Sequence, residues 1–251
     1  MKTLKGKRII VTRPRREKDE LCEALRELGA DVLHLPVIRI EPPADRLEFG
    51  HLVQDSHTYD WLVFTSANGV AAFFELFFKL YSDIREIGGV RLAAIGPGTA
   101  AELKKYHLAI DLQPEKAIAE ALMEAFKKDH TVENEKILII RPEKARDVLA
   151  KGLHAMNAIV DEALAYRTVA ENDLDPETLV RFREQGADCI AFASSSAVEH
   201  FAALELPLAG AKLASIGPAT SQTMRDQGWR VDIEAKRHDI AGLVEAIVRA
   251  V

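Results

Sequence analysis

Cysteine is scarce in this chain of 251 residues, which contains only Cys22 and Cys189. The two thiols match neither a metal-ligand spacing nor a disulfide framework. The eight histidines are scattered along the sequence, so no metal site is predicted. Cysteine used so sparingly favours a reducing compartment, and we expect a cytoplasmic protein.

Long hydrophobic runs are also missing. The longest apolar runs have the length of a β-strand, so the sequence predicts no transmembrane span. Residues 1–8 are basic but lack the apolar core of a signal peptide. The net charge of −6 argues against a polyanionic partner. We therefore expect binding neither to nucleic acid nor to a membrane.

Several catalytic motifs are incomplete. The turn Gly96-Pro97-Gly98 lacks the third glycine of a dinucleotide fingerprint, and Pro97 removes a backbone N–H that the fingerprint needs. No glycine-rich loop ends in Gly-Lys-Ser or Gly-Lys-Thr. The serines at 194–196 lack a Gly-x-Ser-x-Gly frame. Nucleotide binding and catalysis by a serine nucleophile are therefore not indicated.

What the sequence does contain is an internal repeat. Residues 91–99 read Arg-Leu-Ala-Ala-Ile-Gly-Pro-Gly-Thr, and residues 212–220 read Lys-Leu-Ala-Ser-Ile-Gly-Pro-Ala-Thr, 121 positions later. Arg13-Pro14 and Arg141-Pro142 lie 128 positions apart, and further matches keep the same order. The repeat indicates that the chain is a duplicated half.

Short apolar strands alternate with helical segments in both halves, including a weak strand at 109–112 and others at 158–161 and 231–233. Such alternation predicts an α/β fold with two similar parallel-sheet, flavodoxin-like domains. The extended segments 37–41 and 165–170 occupy equivalent places in the repeat. If these two linker strands pair, the domains are interleaved. The first domain then takes residues 1–36 with 171–251, and the second takes residues 42–164.

Polar or glycine-containing turns follow six of the predicted strands, where open parallel sheets bind their ligands. The candidate binding residues in these turns are Thr12, Arg13, Ser66, Asn68, Gly96, Thr99, Arg141, Ser194, Ser196, Gly217 and Thr220. Each hydroxyl could instead only cap a helix. Thr99, with Glu102 three residues later, has the spacing of a capping box, and Thr220 holds the equivalent place.

Basic residues cluster where two helices are predicted to begin. They are Arg13, Arg15, Arg16 and Lys18 in the first copy and Arg141, Lys144 and Arg146 in the second. The helix dipole opposes each such charge by roughly 0.3–1 kcal/mol. A bound anion would offset this cost, and a solvated basic surface is the alternative interpretation.

Tyr166 lies on the second linker strand, in Leu164-Ala165-Tyr166-Arg167-Thr168. Its phenol could donate a proton to a substrate bound between the domains, as weak general acids do. It could equally be a packed hinge residue whose hydroxyl is satisfied by the protein.

Together these features resemble the uroporphyrinogen-III synthase family. The resemblance rests on the order and spacing of motifs that span essentially the whole chain. They are Val11–Pro14, Trp61–Gly69, Ala94–Thr99, Ala165–Thr168, Phe192–Ser196, Ala214–Thr220 and Gly228-Trp229. The family implies two α/β domains joined by a two-stranded ladder.

The resemblance also implies a reaction without a cofactor. Linear hydroxymethylbilane loses water and closes with inversion of ring D, giving uroporphyrinogen III, and the substrate's carboxylates are held largely by backbone N–H groups. Tyr166 would assist departure of the hydroxyl group, and Ser66, Ser194 and Thr220 would line the cleft. A monomer would suffice, and the preceding pathway enzyme could hand over the substrate transiently.

Two alternatives remain open at this point. The same cleft would suit a two-domain binding or sensing protein for a carboxylate-rich metabolite, without catalysis. A nucleotide-sugar-type transferase also uses two parallel-sheet domains, but no acidic nucleotide site or Asp-x-Asp motif is visible.

Overall fold

Strands and helices alternate along the chain in the computed structural model, which describes residues 3–15, 18–208 and 210–251. The strands are β1 (Arg8–Val11), β2 (Asp31–His34), β3 (Ile38–Glu41), β4 (Trp61–Phe64), β5 (Arg91–Ala94), β6 (Lys136–Pro142), β7 (Ile159–Ala170), β8 (Cys189–Phe192), β9 (Lys212–Ser215) and β10 (Ile233–Glu234). The helices are α1 (Glu20–Glu27), α2 (Arg46–Gln54), α3 (Ala67–Leu80), α4 (Pro97–Lys104), α5 (Ala119–Asp129), α6 (Val148–His154), α7 (Pro176–Gln185), α8 (Ser195–Ala203), α9 (Pro218–Asp226) and α10 (Ile240–Ala250). Across the described ranges, no helix combines the length and apolar character that crossing a bilayer requires.

The chain separates into two compact units. The first unit consists of Met1–Ile40 with Thr168–Val251, and the second of Glu41–Arg167. The chain passes between the units within β3 and within β7, which are neighbours in one sheet. The predicted linker segments 37–41 and 165–170 contain these passages. That the predicted boundaries delimit two folding domains stays a prediction.

The sheet of the first unit has the strand order β10-β9-β8-β1-β2. All its registered pairs are parallel, with Ile9 opposite both Val32 and Cys189. Counted along this unit alone, the order is 2-1-3-4-5, the flavodoxin-like arrangement. From β1 the chain adds β2 on one side, and the later strands β8, β9 and β10 follow on the other side, so the strand order reverses between β1 and β8. Ligands bind at such a reversal in open α/β sheets.

The second unit repeats this plan with its strands in a different chain order. Its sheet runs β3-β7-β6-β4-β5, and β4 pairs in parallel with both β5 and β6. By the 128-residue offset, β6 corresponds to β1 and β4 corresponds to β8. The equivalent reversal therefore lies between β6 and β4. The predicted α/β fold with parallel sheets is confirmed.

Four predicted segments differ from the observed elements. Residues 109–112 form no strand and contribute only an isolated bridge between Leu112 and Ala93. The strand predicted at 231–233 is Ile233–Glu234 instead. The segments predicted at 158–161 and 165–170 form one continuous strand, because residues up to Tyr166 stay paired with β6.

Apolar side chains fill both faces of each sheet, as strands with continuous apolar runs require. In β1, Ile9 and Val11 point into one core while Ile10 points into the other. In the second unit, Trp61 and Val63 of β4 belong to one core. The opposite face carries a cluster of phenylalanine rings from β4 and α3, which includes Phe64, Phe73, Phe74 and Phe77.

Four aspartates close the edge of the sheets at which the strands begin. Each accepts a hydrogen bond from the backbone N–H of a neighbouring strand's first or second residue, at 2.8–2.9 Å. The pairs are Asp188 with Arg8, Asp60 with Lys136, Asp111 with Leu92, and Asp232 with Leu213. The repeat offsets relate Asp60 to Asp188 and Asp111 to Asp232. These carboxylates therefore belong to the duplicated scaffold.

The scaffold aspartates predict an acid-sensitive fold. The backbone N–H of Arg8 holds the pKa of Asp188 below its ordinary value, and the Arg8 side chain does the same for Asp31. A depressed carboxyl pKa stabilises the fold above the unfolded pKa of about 4, and the contribution is lost as pH falls through the folded pKa. We expect Asp188→Asn to cost about 1 kcal/mol or less at neutral pH, because the site is partly exposed.

Urea unfolding from neutral pH to about pH 2 measures this effect. The wild-type advantage over Asp188→Asn should shrink steadily below about pH 5. The exposed Glu27, changed to Gln, is the control and should show a smaller change of advantage with pH. A wild-type advantage that stays constant down to the lowest pH would contradict the assignment.

Candidate active site

The predicted site residues lie where strands end and helices begin, so we describe them unit by unit. In the second unit, Ser66 follows β4 and is the N-cap of α3. Its Oγ accepts a hydrogen bond from the backbone N–H of Gly69 at 3.0 Å. The phenol Oη of Tyr166 donates to the same Oγ at 3.0 Å. Ser66 thus accepts two hydrogens, and its own O–H remains available as a donor.

A β-bulge places Tyr166 beside Ser66. In the ladder of β6 and β7, Arg141 lies opposite Leu164, but Pro142 lies opposite Tyr166, so β7 carries one extra residue. Pro142 lacks an N–H and cannot continue a regular ladder. Because side chains alternate along a strand, one extra residue changes which face Tyr166 uses. Tyr166 is 6% exposed and is therefore largely packed within the protein.

The two Ile-Gly-Pro turns begin their helices earlier than predicted. Gly96 and Gly217 are the N-cap residues of α4 and α9, and each is followed by a proline in the first helical position. The prediction that Thr99 and Thr220 cap these helices is wrong. Proline favours the first helical position, so both threonines lie inside the first turn, where they are 5% and 4% exposed.

Glycine is required at both turns by close packing. A Cβ atom on Gly96 would lie 2.6 Å from the Cβ of Ala117, and one on Gly217 would lie 2.9 Å from the ring of His238. The first-turn N–H groups of α4 and α9 receive no side-chain cap from the described residues. Uncapped N–H groups at helix starts are suited to binding anions.

Thr12 and Ser194 border the strand reversal of the first unit. Thr12 is fully buried, and its Oγ1 donates to the carbonyl of Ala191 on β8 at 2.9 Å. In the second unit the donor lies on the other strand: Thr65, after β4, donates to the carbonyl of Ile140 on β6 at 3.1 Å. These hydroxyls join the two strands of each reversal. Thr12 therefore has a structural role in addition to its predicted binding role.

The serines of the first unit lie at the start of α8. Ser194 is its N-cap and accepts from the N–H of Ala197 at 3.2 Å. Ser196 follows within the first turn, and its carbonyl accepts from the ring of His200 at 2.8 Å. Asn68 has the corresponding place in the first turn of α3. Ligand contacts by these side chains stay predictions.

The sequence predicted that the arginines lie at helix starts, and this prediction is wrong for Arg13 and Arg141. Helix α1 begins at Glu20 and α6 at Val148, so Arg13 and Arg141 precede their helices by seven residues. Their charges are instead met by the protein's own carboxylates. Lys144 and Arg146 likewise precede α6, and Arg16 lies outside the described residues. The cluster therefore requires no external anion to offset a helix dipole.

Each arginine pairs with the N-cap aspartate of the helix that follows it. Arg13 Nε lies 2.9 Å from Asp19 Oδ2, and Arg141 Nη1 lies 3.3 Å from Asp147 Oδ1. Both copies read Arg-Pro followed by four residues and Asp, a spacing that the repeat itself could have revealed. Arg141 Nε also lies 2.7 Å from Glu162 Oε2. The predicted role of Arg141 in substrate binding stays a prediction.

Comparison with known proteins identifies the family. The family model described as "Uroporphyrinogen-III synthase HemD" matches residues 19–245. The chain belongs to the uroporphyrinogen-III synthase family. The resemblance that the sequence motifs indicate is thereby confirmed, and the family's enzymes are cyclising lyases of tetrapyrrole biosynthesis.

Individual members of the uroporphyrinogen-III synthase family match nearly the whole chain. The uroporphyrinogen-III synthase of Synechococcus elongatus is 30% identical over 255 positions, covering 96% of this chain and 94% of the relative. The porphyrin biosynthesis protein HemD of Ruminiclostridium josui is 28% identical over 98% of this chain, which spans 49% of that relative. The crystal structure of uroporphyrinogen-III synthetase from Helicobacter pylori shares the fold. It has a TM-score of 0.65 at 15% identity and covers 97% of this chain and 99% of that one.

Within this family member, the two halves of the repeat have diverged at their most reactive positions. Ser66 and Ser194 are equivalent, but the residue equivalent to Tyr166 in the first unit is Ile38, which is buried. Only the second unit therefore combines a phenol with the serine at the end of its strand. The hydroxyl pair is a specialised feature rather than part of the duplicated scaffold.

Proposed function

We propose that this chain cyclises hydroxymethylbilane to uroporphyrinogen III with loss of water and inversion of ring D. Membership of the family supports the reaction class. The observation that carries the proposal is the hydrogen bond between Tyr166 and Ser66 at the strand reversal of the second unit. A reaction that begins with departure of a hydroxyl group needs a proton donor, and this pair supplies one.

The pair acts as a directed donor. The O–H of Tyr166 points to Ser66 Oγ, so the remaining hydrogen of Ser66 is polarised toward an outside acceptor. A proton passed to the substrate's hydroxyl lets water leave and creates an azafulvene cation. The substituted carbon of ring D attacks that cation, and the spiro intermediate rearranges and loses a proton. This proton replaces the one that was donated to the leaving hydroxyl, so the overall change is loss of water with no oxidation or reduction.

Positioning supplies the rest of the catalytic effect. The substrate carries acetate and propionate groups on every ring, and each unit offers uncapped N–H groups at a helix start, α4 in one and α9 in the other. Thr12, Ser194, Ser196, Asn68 and Thr220 border those edges as further proposed contacts. Neutral donors bind carboxylates without requiring a positive chain, which agrees with the net charge of −6. Holding ring D in register is worth more than acid assistance alone.

The wider setting of the reaction follows from the same proposal. The substrate closes by itself to the type I isomer, so transient hand-over from the enzyme that makes it would protect it. A cytoplasmic location agrees with two cysteines that are free and buried, Cys22 and Cys189. Burial and the nearby Asp19 carboxylate raise the pKa of Cys22 to about 12, which keeps this thiol protonated and unreactive.

Product analysis tests the proposal. Freshly prepared hydroxymethylbilane should yield mainly the type III isomer with the protein and the type I isomer without it, as resolved by chromatography. For a binding or sensing protein, the substrate would instead raise the unfolding temperature, and only the type I isomer would form. That second result would refute the synthase proposal.

A further inference from the structure

The duplicated Arg–Asp pair differs between the two units in how completely the arginine is neutralised. Arg141 contacts two carboxylates, Glu162 at 2.7 Å and Asp147 at 3.3 Å, and donates to the carbonyl of Ala145 at 3.4 Å. Among the described residues, Asp19 supplies the single carboxylate contact of Arg13. Within the described part of the chain, Arg13 therefore has one carboxylate neighbour where Arg141 has two.

The repeat identifies the substitution responsible. The residue equivalent to Glu162 in the first unit is His34, 128 positions earlier. His34 does not reach the guanidinium of Arg13, and its Nε2 lies 2.8 Å from the carbonyl oxygen of Arg13 instead. Replacing a carboxylate by an imidazole at this place removes one negative charge from the arginine's surroundings. Among the described residues, the arginine of the first unit is thus the less fully neutralised of the two.

Asp19 contacts Arg13 most closely at one atom of the guanidinium, Nε. Asp19 Oδ2 lies nearest to Nε, and among the described residues no second carboxylate lies within ion-pair distance of this guanidinium, whose Nη donors match the geometry of a carboxylate. The Arg13 side chain is 16% exposed and that of Asp19 is 3% exposed, so the pair is held in place by packing. A guanidinium fixed in advance loses little entropy when it binds. Arg13 also lies two residues after the end of β1, at the strand reversal.

From this geometry we infer that Asp19 is a positioning residue, which orients Arg13 to bind a carboxylate of the substrate. The neutralised copy, Arg141 with Asp147 and Glu162, serves the scaffold of the second unit. This inference rests on the proposed synthase function for the identity of the substrate. It assigns the charge-specific contact to the first unit and the proton donor to the second.

Steady-state kinetics of four variants test the inference. Asp19→Asn retains an oxygen that can cap α1 by accepting from Cys22, as Asp19 Oδ1 does at 3.0 Å, but it loses the charge opposite Arg13. We expect Asp19→Asn and Arg13→Gln each to raise KM for hydroxymethylbilane about tenfold with kcat nearly unchanged. The double variant should be no worse than Arg13→Gln alone, because Asp19 acts through Arg13. Asp147→Asn is the matched control and should leave KM unchanged.

Several results would overturn the inference. Additive effects of Asp19→Asn and Arg13→Gln would show that Asp19 does not act through Arg13. An unchanged KM in Asp19→Asn with a lowered unfolding midpoint would make it purely a helix cap. If Asp19→Asn does not fold, an unchanged KM in Arg13→Gln decides against the inference by itself. Wild-type protein that forms only the type I isomer would instead refute the proposed function, which the same assay reports separately.

Discussion

Tyr166→Phe is expected to lower kcat about 100-fold while leaving the fold intact. The change removes only the phenol oxygen, and with it the hydrogen bond to Ser66 Oγ. Ser66 keeps its role as the N-cap of α3, because the N–H of Gly69 still donates to it. The loss should fall on the step in which the substrate's hydroxyl departs. Stopped assays of type III product measure it, and circular dichroism reports the fold.

Tyr59→Phe is the matched control for this prediction. Tyr59 also donates its phenol hydrogen to a side chain, Asp161 Oδ2, at 2.8 Å. Asp161 lies on β7, the strand that carries Tyr166, but near its beginning rather than its end. Both variants therefore lose one hydrogen bond tied to the same strand. A similar, small loss of kcat in the two variants would make Tyr166 a packed residue rather than part of the donor.

Phe73→Ala is expected to destabilise the unit Glu41–Arg167 by about 3–5 kcal/mol, the largest stability effect that we predict. Phe73 is fully buried in α3, and its ring lies 5.4 Å from that of Phe64 and 5.1 Å from that of Phe74 in edge-on contacts. Truncation removes a large buried surface and leaves a cavity between β4 and α3. The neighbouring rings also lose aromatic contacts.

Phe78→Ala supplies the comparison within the same helix, since the Phe78 side chain is 45% exposed. Its truncation should cost about 1 kcal/mol, because little buried surface is lost. Trp61 is fully buried in the same unit and reports its unfolding by fluorescence. Trp229 lies in the other unit, so a Trp229→Phe background isolates the signal. Equal losses of unfolding free energy in the two variants would contradict the prediction.

Most strands could be predicted from the sequence because their cause is local. Runs such as Trp-Leu-Val-Phe at 61–64 and Ile-Leu-Ile-Ile at 137–140 are apolar at every position, so they bury both faces and form central parallel strands. Where the apolar run is interrupted, the predicted strand does not form. Asp111 interrupts the apolar residues at 109–112; its side chain accepts from the N–H of Leu92, and the segment forms only an isolated bridge.

The helix starts show where local rules compete. A Gly-Pro-x-Thr turn offers two ways to begin a helix, with threonine as the cap or with proline in the first position. The sequence alone favoured Thr99 and Thr220. In the structure both helices begin with proline in the first position, and Ala117 and His238 lie so close to Gly96 and Gly217 that only glycine fits at the turn.

By itself, the sequence determined that this protein is a duplicated α/β chain and a member of the uroporphyrinogen-III synthase family. Repeats and buried strands are written in residue order, so they can be read without coordinates. Only the tertiary structure decided that Tyr166 bonds to Ser66, 100 residues away, and that Asp19 holds Arg13. The first contact depends on a one-residue bulge in β7, and the second on a side-chain direction. The spacing from arginine to aspartate recurs in both copies of the repeat, but which atoms meet depends on packing between distant or non-helical segments.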